Sequence, residues 1–151
     1  MNLTFTVYGD IHGKDRPRAT NNGGNIHVYT PAPTRRYEKL IQDVFMLRVE
    51  NENLRDAFPI KKYALLHITA YCKLPTQVDG HRLTKGERKE LLKHPAVCKP
   101  DGDNIQKVVA DALNGIAWLD DKQVADWHCE KWFAPPGTTP WLSIRISDYG
   151  D

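Results

Sequence analysis

The chain has 151 residues, is 40% hydrophobic and 26% charged, and carries a formal net charge of +2 at pH 7. This length fits one domain with a sizeable core, and the composition excludes a disordered or fibrous protein. No apolar run approaches the length of a membrane span, and the first residues lack the pattern of a signal peptide, so we expect a cytoplasmic protein. The separated cysteines Cys72, Cys98 and Cys129, with no CxxC pair, are typical of reduced thiols.

Charge is distributed unevenly along the sequence. Residues 1–100 carry 17 Lys and Arg against 10 Asp and Glu, whereas residues 101–151 carry 4 against 9. A basic region beside an acidic pocket suits an enzyme that holds a polyanion and cuts it. Chance clustering of solvated charge would give the same counts, and charge alone favours that simpler interpretation.

The chain begins with a predicted strand and a long loop. Apolar and polar side chains alternate over residues 2–8, which predicts a strand. Residues 9–33 are rich in Gly, Pro and Asn and cannot form a long helix or strand. On this loop Lys14, Arg16 and Arg18 form a basic cluster that could grip DNA phosphates, although an ordinary solvated loop explains it equally well.

A long helix and a central strand follow the loop. The apolar spacing after the loop predicts a helix over residues 34–52, with Arg35 and Arg36 at its positive end. Cations at that end oppose the helix dipole, which weakly indicates an anionic ligand. Residues 63–73 alternate regularly and predict the central strand of the sheet.

Residues 74–99 form a basic excursion before the acidic part of the chain. Thr84 and Glu87 match a capping box, which predicts a short helix ending near Lys93. A solvated surface helix explains most of these charges, and DNA phosphates are the alternative partner. The candidate DNA contacts in this excursion are Arg82, Lys85, Arg88 and Lys89.

An acidic doublet, Asp101 and Asp103, precedes the most strongly patterned helix. Apolar residues recur at the spacing of one helical face from Ile105 to Ile116, and Gly115 is a suitable stop. Either aspartate of the doublet can cap the helix. The opposite face carries charged residues four positions apart, namely Asp103, Lys107 and Asp111.

A second acidic doublet, Asp120 and Asp121, lies at the turn before a predicted strand over residues 123–133. A last strand is predicted over residues 141–147. The second doublet could return to the start of the helix if residues 116–119 run alongside it.

Clustered carboxylates repel one another unless something neutralises them. A divalent cation is the simplest neutraliser, because hard oxygen ligands suit Mg²⁺ and Mn²⁺. The structural alternative is that Asp101 and Asp103 cap a helix while Asp120 and Asp121 decorate a turn, and each aspartate taken singly is more often that. Taken together, with Lys107 one turn after Asp103, they favour a metal-dependent phosphodiesterase acting on DNA.

Two other acidic sites fit less well. An EF-hand is excluded, because Ile105 and Gln106 stand where a further oxygen ligand and a glycine are required. A glycosyltransferase-type DxD is conceivable, but no nucleotide-binding strand and glycine loop precede it, and the chain is short for that fold.

Residues 99–126, KPDGDNIQKVVADALNGIAWLDDKQVAD, closely resemble the signature of RusA-type Holliday junction resolvases, roughly KPDxDNLxKxxxDALNGxxxxDDxQV. The resemblance extends to GKDRPRAT and YTPAPTRRYE nearer the N-terminus, and so spans most of the chain. The sequence departs from the pattern at Gly102, where a bulky apolar residue is frequent, and in the long excursion over residues 75–98. Gly102 loosens the backbone between two proposed ligands.

The resemblance implies one α+β domain over residues 1–151, in which a small mixed β-sheet packs with two main α-helices. It implies a homodimer that uses Mg²⁺, with Mn²⁺ as a substitute, to nick four-way DNA junctions symmetrically in recombination and repair. The implied metal ligands are Asp101, Asp103 and Asp121, and Lys107 is the implied catalytic lysine. Supporting roles fall to Asn104, Asp111 and Asp120.

Two other functions remain open from the sequence. The same metal site could serve a broader nuclease that cuts flaps or forks, or the aspartates could hold a structural ion in a protein that only binds DNA.

Overall fold

A computed structural model describes residues 1–149, so the last two residues of the expected domain lie outside the described part. Three α-helices and eight strands lie in that part. The strands are β1 (Asn2–Tyr8), β2 (Arg18–Asn22), β3 (Asn25–Tyr29), β4 (Ala64–Cys72), β5 (Gln77–Val78), β6 (His81–Arg82), β7 (Val124–Phe133) and β8 (Trp141–Asp148). The helices are α1 (Ala32–Asn51), α2 (Lys85–Leu91) and α3 (Gly102–Leu113), with 3₁₀ turns at Arg55–Ala57 and Asp121–Gln123.

The main sheet has four strands in the order β1-β8-β4-β7. Strand β4 pairs in parallel with β7 and antiparallel with β8, which also pairs antiparallel with β1. Because side chains alternate between the faces of a strand, Leu66, Ile68 and Ala70 are buried while the residues between them are only half-buried. The predicted central position of β4 is confirmed.

Helices α1 and α3 cover one face of this sheet and share a single core with it. The buried stripe of α1 is Tyr37, Ile41, Phe45 and Val49, each about one turn from the next. The buried side of α3 contains Ile105, Val108, Val109, Ala112 and Leu113. The expected α+β architecture with two main helices is therefore confirmed.

Local structure differs from expectation at three places. Helix α1 begins at Ala32 and not at the predicted residue 34. Pro33 can lie in the first turn, because the backbone N–H that proline lacks would have no partner within the helix there. The loop after β1 contains the β2–β3 hairpin, whose turn uses Gly23 and Gly24 at φ of 59° and 91°. Asp101 occupies the cap position of α3, but its side chain accepts no capping hydrogen bond.

The strand register defines two ends of the main sheet. At the upper end the strands meet at Tyr8, Tyr71, Cys72, Phe133 and Trp141. At the lower end they meet at Asn2, Ala64, Val124, Ser147 and Asp148.

No helix in the described part of the chain combines the length and apolar character needed to cross a bilayer.

Candidate active site

Helix α3 begins beside the middle of β7, and the residues just before it lie beside Lys131, towards the upper end of that strand. A Cβ atom placed on Gly102 would lie 3.9 Å from the Cys129 sulfur, so the first turn of α3 packs closely against β7. Lys131 Nζ donates a hydrogen bond of 3.1 Å to the Pro100 carbonyl and another to the Cys98 carbonyl. These contacts fix the backbone immediately before the first acidic doublet.

The carboxylates of Asp101 and Asp103 are exposed at this end of α3. Lys99 Nζ lies 3.3 Å from Asp101 Oδ1 and is itself highly exposed. Among residues 1–149, no side chain lies within ion-pairing distance of Asp103 or of Lys107, which is one turn further along the same exposed face. Both groups are therefore free to meet a cation and an anion from solution.

The loop after β1 packs directly against the acidic doublet. The Lys14 backbone N–H donates a hydrogen bond of 3.0 Å to the Asn104 carbonyl. A Cβ atom on Gly13 would lie 2.8 Å from Pro100 Cβ and 3.0 Å from Asn104 Cβ. Only glycine permits this close approach. Gly13 therefore allows the loop that carries Arg16 to pack against the start of α3.

Lys14 does not point to solvent as a free loop cation. Its ammonium group lies 2.7 Å from a Glu38 oxygen on α1 and 2.9 Å from an Asp111 oxygen on α3. Burial alone would lower the pKa of Lys14, but the hydrogen bonds that its ammonium group donates to these two carboxylates outweigh the effect of burial and raise the pKa. Lys14 thus clamps the loop between both helices, and Asp111 belongs to this clamp.

Sequence reasoning missed Glu38. It lies next to the buried stripe of α1 and its side chain is 18% exposed. A charged residue that borders an apolar stripe is a weak signal on its own, because most such residues reach solvent.

The second doublet lies at the opposite end of the sheet. Asp120 accepts a hydrogen bond of 3.0 Å from the Lys122 backbone N–H, and this bond lowers the pKa of Asp120. The Gln123 side chain binds the Ile60 carbonyl just before β4 begins. Asp120 therefore caps a 3₁₀ turn at the lower end, and Asp121 is exposed beside it.

A single chain does not bring the three predicted metal ligands together. Helix α3 has 12 residues, which span about 18 Å at 1.5 Å per residue, and it separates the two doublets. Within residues 1–149, Asp101, Asp103 and Asp121 do not form a group at metal-ligand spacing. One chain thus presents two carboxylates at the upper end and a third one far below.

The predicted DNA-contacting cations lie on the loop after β1, on α1 and on the excursion. Arg35, in the first turn of α1, lines a shallow hollow together with Arg36 and Lys39. The excursion leaves β4 at the upper end of the sheet and returns there, where the Ala96 N–H donates to the Lys131 carbonyl at 2.7 Å. This excursion carries Arg82 on β6 and Lys85, Arg88 and Lys89 on α2, all exposed except Arg88, which is half-buried.

Two comparisons with known proteins identify the family of the chain. The family model described as Endodeoxyribonuclease RusA matches residues 9–147. The protein YqaN of Bacillus subtilis (strain 168), which is uncharacterized, is 28% identical over 132 residues, covering 87% of this chain and 88% of YqaN. The match includes both acidic doublets, the Lys14 loop and the basic excursion. The chain belongs to the RusA endodeoxyribonuclease family, a family of nucleases that act on branched DNA junctions.

Proposed function

We propose that the protein is a divalent-metal-dependent endonuclease that nicks four-way DNA junctions symmetrically during recombination and repair. The observation that carries the proposal is the pair of exposed carboxylates, Asp101 and Asp103, with the exposed side chain of Lys107 one turn further along the same helix. Carboxylates in a basic surrounding attract a metal ion and a phosphate to the same place.

The donor set fits Mg²⁺, with Mn²⁺ as a substitute. Mg²⁺ in phosphate-processing sites is usually held by one or two carboxylates and completes its shell with water and substrate phosphate oxygens. The carboxylates of Asp101 and Asp103 supply such oxygen ligands, and the side chain of Asp103 has no competing ion pair among residues 1–149. A bound ion would activate a water molecule and neutralise charge on the scissile phosphate.

The side chains around the doublet orient the DNA. Lys107 lies on the exposed face of α3 one turn after Asp103, where its ammonium group can stabilise the negative charge that builds on the phosphate. The backbone carbonyl of Asn104 holds the Lys14 loop, and in this proposal Arg16, two residues further along that loop, binds a phosphate near the doublet. Arg18, Arg35, Arg82, Lys85, Arg88 and Lys89 bind flanking phosphates in this proposal.

We infer that a second copy of the chain supplies the third ligand. Strand β7 is an edge strand, and α3 runs beside it in the opposite direction. If two copies pack antiparallel along β7 and α3 about a two-fold axis, the lower end of one chain lies beside the upper end of the other. Asp121 of each chain then meets Asp101 and Asp103 of its partner. Two such sites would match the symmetry of a four-way junction.

The experiment compares nicking of a four-way junction, a flap and a linear duplex with Mg²⁺, with Mn²⁺ and with chelator. We expect metal-dependent paired nicks that favour the junction, and we expect Asp103→Asn to abolish nicking while it retains junction binding. Asp56→Asn is the matched control, since Asp56 is exposed in the 3₁₀ turn Arg55–Ala57, away from the upper end. Equal cutting of flap and junction would favour the broader nuclease, and no cutting in any metal would refute catalysis.

A further inference from the structure

The face of the sheet opposite α1 and α3 carries a histidine pair. Side chains on neighbouring strands pair by register, and His67 on β4 stands directly beside His128 on β7. Their rings are 4.1 Å apart between centroids. Since Cys129 faces α3, its neighbours His128 and Glu130 point to the opposite, open face. This cluster is separate from the acidic doublets and does not depend on the proposed nuclease function.

Glu130 completes a group of three potential ligands. Its Oε1 atom lies 3.9 Å from His67 Nε2 and 4.0 Å from His128 Nε2. Among the described residues, these three are the set of His, Cys, Asp or Glu side chains whose potential ligand atoms all lie within 4.8 Å of one another. We propose that His67, His128 and Glu130 form a binding site for a borderline transition-metal cation, with Zn²⁺ as the best-fitting ion.

The ligand chemistry favours Zn²⁺ over Mg²⁺. Two imidazole nitrogens and one carboxylate oxygen are a common zinc set, whereas Mg²⁺ prefers oxygen ligands alone. Zinc bonds of about 2.0–2.1 Å place neighbouring ligand atoms roughly 3.3 Å apart in a tetrahedral site. The two spacings to Glu130 exceed this value by less than 1 Å, and all three lie within 4.8 Å, so rotation of the half-exposed side chains can close them. Three protein ligands leave the fourth position open to water.

Both histidines must be uncharged to bind a cation. Burial, the neighbouring His128 and the Arg145 guanidinium lower the pKa of His67, while Glu130 acts weakly in the opposite direction. This lowering of the pKa acts in the direction that favours the uncharged ring of His67.

Arg145 acts as a built-in competitor for the site. Its Nη2 atom lies 2.9 Å from His67 Nδ1 and can only donate, which places the ring proton on Nε2, the atom that faces Glu130. Metal binding through Nε2 requires that proton to move to Nδ1 and the guanidinium to turn away. Because Arg145 is exposed, this movement is sterically open.

Cys72 and Cys129 are weaker competitors for the same ion. Burial raises the pKa of Cys72 to about 12 and that of Cys129 to about 11, so both thiols are protonated at neutral pH. A protonated thiol is a poor ligand, because zinc binds the thiolate form.

The test uses tag-free, chelator-treated protein, titrated with Zn²⁺ by calorimetry and with Co²⁺ by visible absorption. We expect one high-affinity Zn²⁺ per chain that excess Mg²⁺ does not displace, a rise in melting temperature with Zn²⁺, and affinity reduced at least ~10-fold by His128→Gln or Glu130→Gln. Arg145→Gln should tighten binding, since it removes the cation and offers an oxygen to His67 Nδ1–H. His94→Gln is the matched control, because His94 is also exposed and paired with a glutamate.

Zinc affinity that survives both His128→Gln and Glu130→Gln would overturn the proposal, as would the absence of saturable binding. A cobalt–thiolate charge-transfer band would assign the ion to the cysteines and would also overturn it. Because Asp103→Asn should leave Zn²⁺ affinity unchanged, failure of this proposal is distinguishable from failure of the nuclease proposal.

Discussion

Lys14 illustrates how the neighbours of a side chain decide its role. From the sequence it is one of three loop cations, equivalent to Arg16 and Arg18. In the structure only Lys14 reaches inward, where its side chain is 18% exposed and contacts Glu38 and Asp111. Fixing its long side chain costs conformational entropy, and two charge-assisted hydrogen bonds offset that cost.

Replacing Lys14 with Met should lower the free energy of unfolding by about 1–3 kcal/mol, because it leaves the half-buried Glu38 carboxylate without its partner. Urea denaturation measures this change. Arg16→Met, at an exposed position of the same loop, should stay within about 0.5 kcal/mol of the wild type. Since folding raises the pKa of Lys14, its contribution is present below its ordinary value of 10.5 and is lost as the pH rises through the folded-state value. Unchanged stability with weakened DNA binding would instead assign Lys14 to the phosphates.

His67 should make the stability of the protein depend on pH in mildly acidic solution. Its pKa in the folded chain lies below its ordinary value of 6.5, so the unfolded chain binds the proton more tightly. Stability should therefore fall as the pH decreases through 6.5. His67→Gln should flatten this slope in metal-free denaturation curves between pH 7.5 and 5.5, and an unaltered slope would contradict the assignment.

At the scale of elements, apolar periodicity predicted the parts of the chain that bury a face. Helix α3 and strand β4 each hold one side in the core, and their sequence patterns show it. The β2–β3 hairpin was not predicted, because every residue of both strands is exposed and no burial pattern is imposed on the sequence. The capping box at Thr84 predicted α2 from local hydrogen bonding alone.

The contact between the Lys14 loop and α3 can be tested with one methyl group. Gly13→Ala places a Cβ atom 2.8 Å from Pro100 Cβ, so the loop must shift. We expect a loss of about 1–3 kcal/mol in unfolding free energy together with slower junction nicking. Gly86→Ala is a control of opposite sign, because its nearest neighbour is 3.9 Å away and Ala favours helix α2 by about 0.5–1 kcal/mol. Wild-type nicking by Gly13→Ala would show that the loop position is unimportant for cleavage.

At the scale of the whole molecule, the sequence indicated which aspartates matter but not where they lie. Spacing along the chain suggested that Asp121 returns to the start of α3. The turn after α3 instead stays at the lower end, where Gly115 N–H bonds the Trp118 carbonyl and Trp118 bridges Ile60. The sequence of one chain does not show whether a partner subunit contributes a ligand to the metal site, because that contribution depends on how the two surfaces pack in the dimer.

Mixing two inactive variants tests the shared active site most directly. Asp103→Asn and Asp121→Asn should each abolish metal-dependent nicking of a four-way junction. After subunit exchange, verified by mass spectrometry, the mixture should recover about a quarter of the wild-type nicking rate, since half of the dimers are mixed and each holds one intact site. These dimers should nick one strand and leave the paired cut unmade. Exchanged but inactive mixtures, or full activity of Asp121→Asn alone, would contradict a site built from the upper end of one chain and the lower end of its partner.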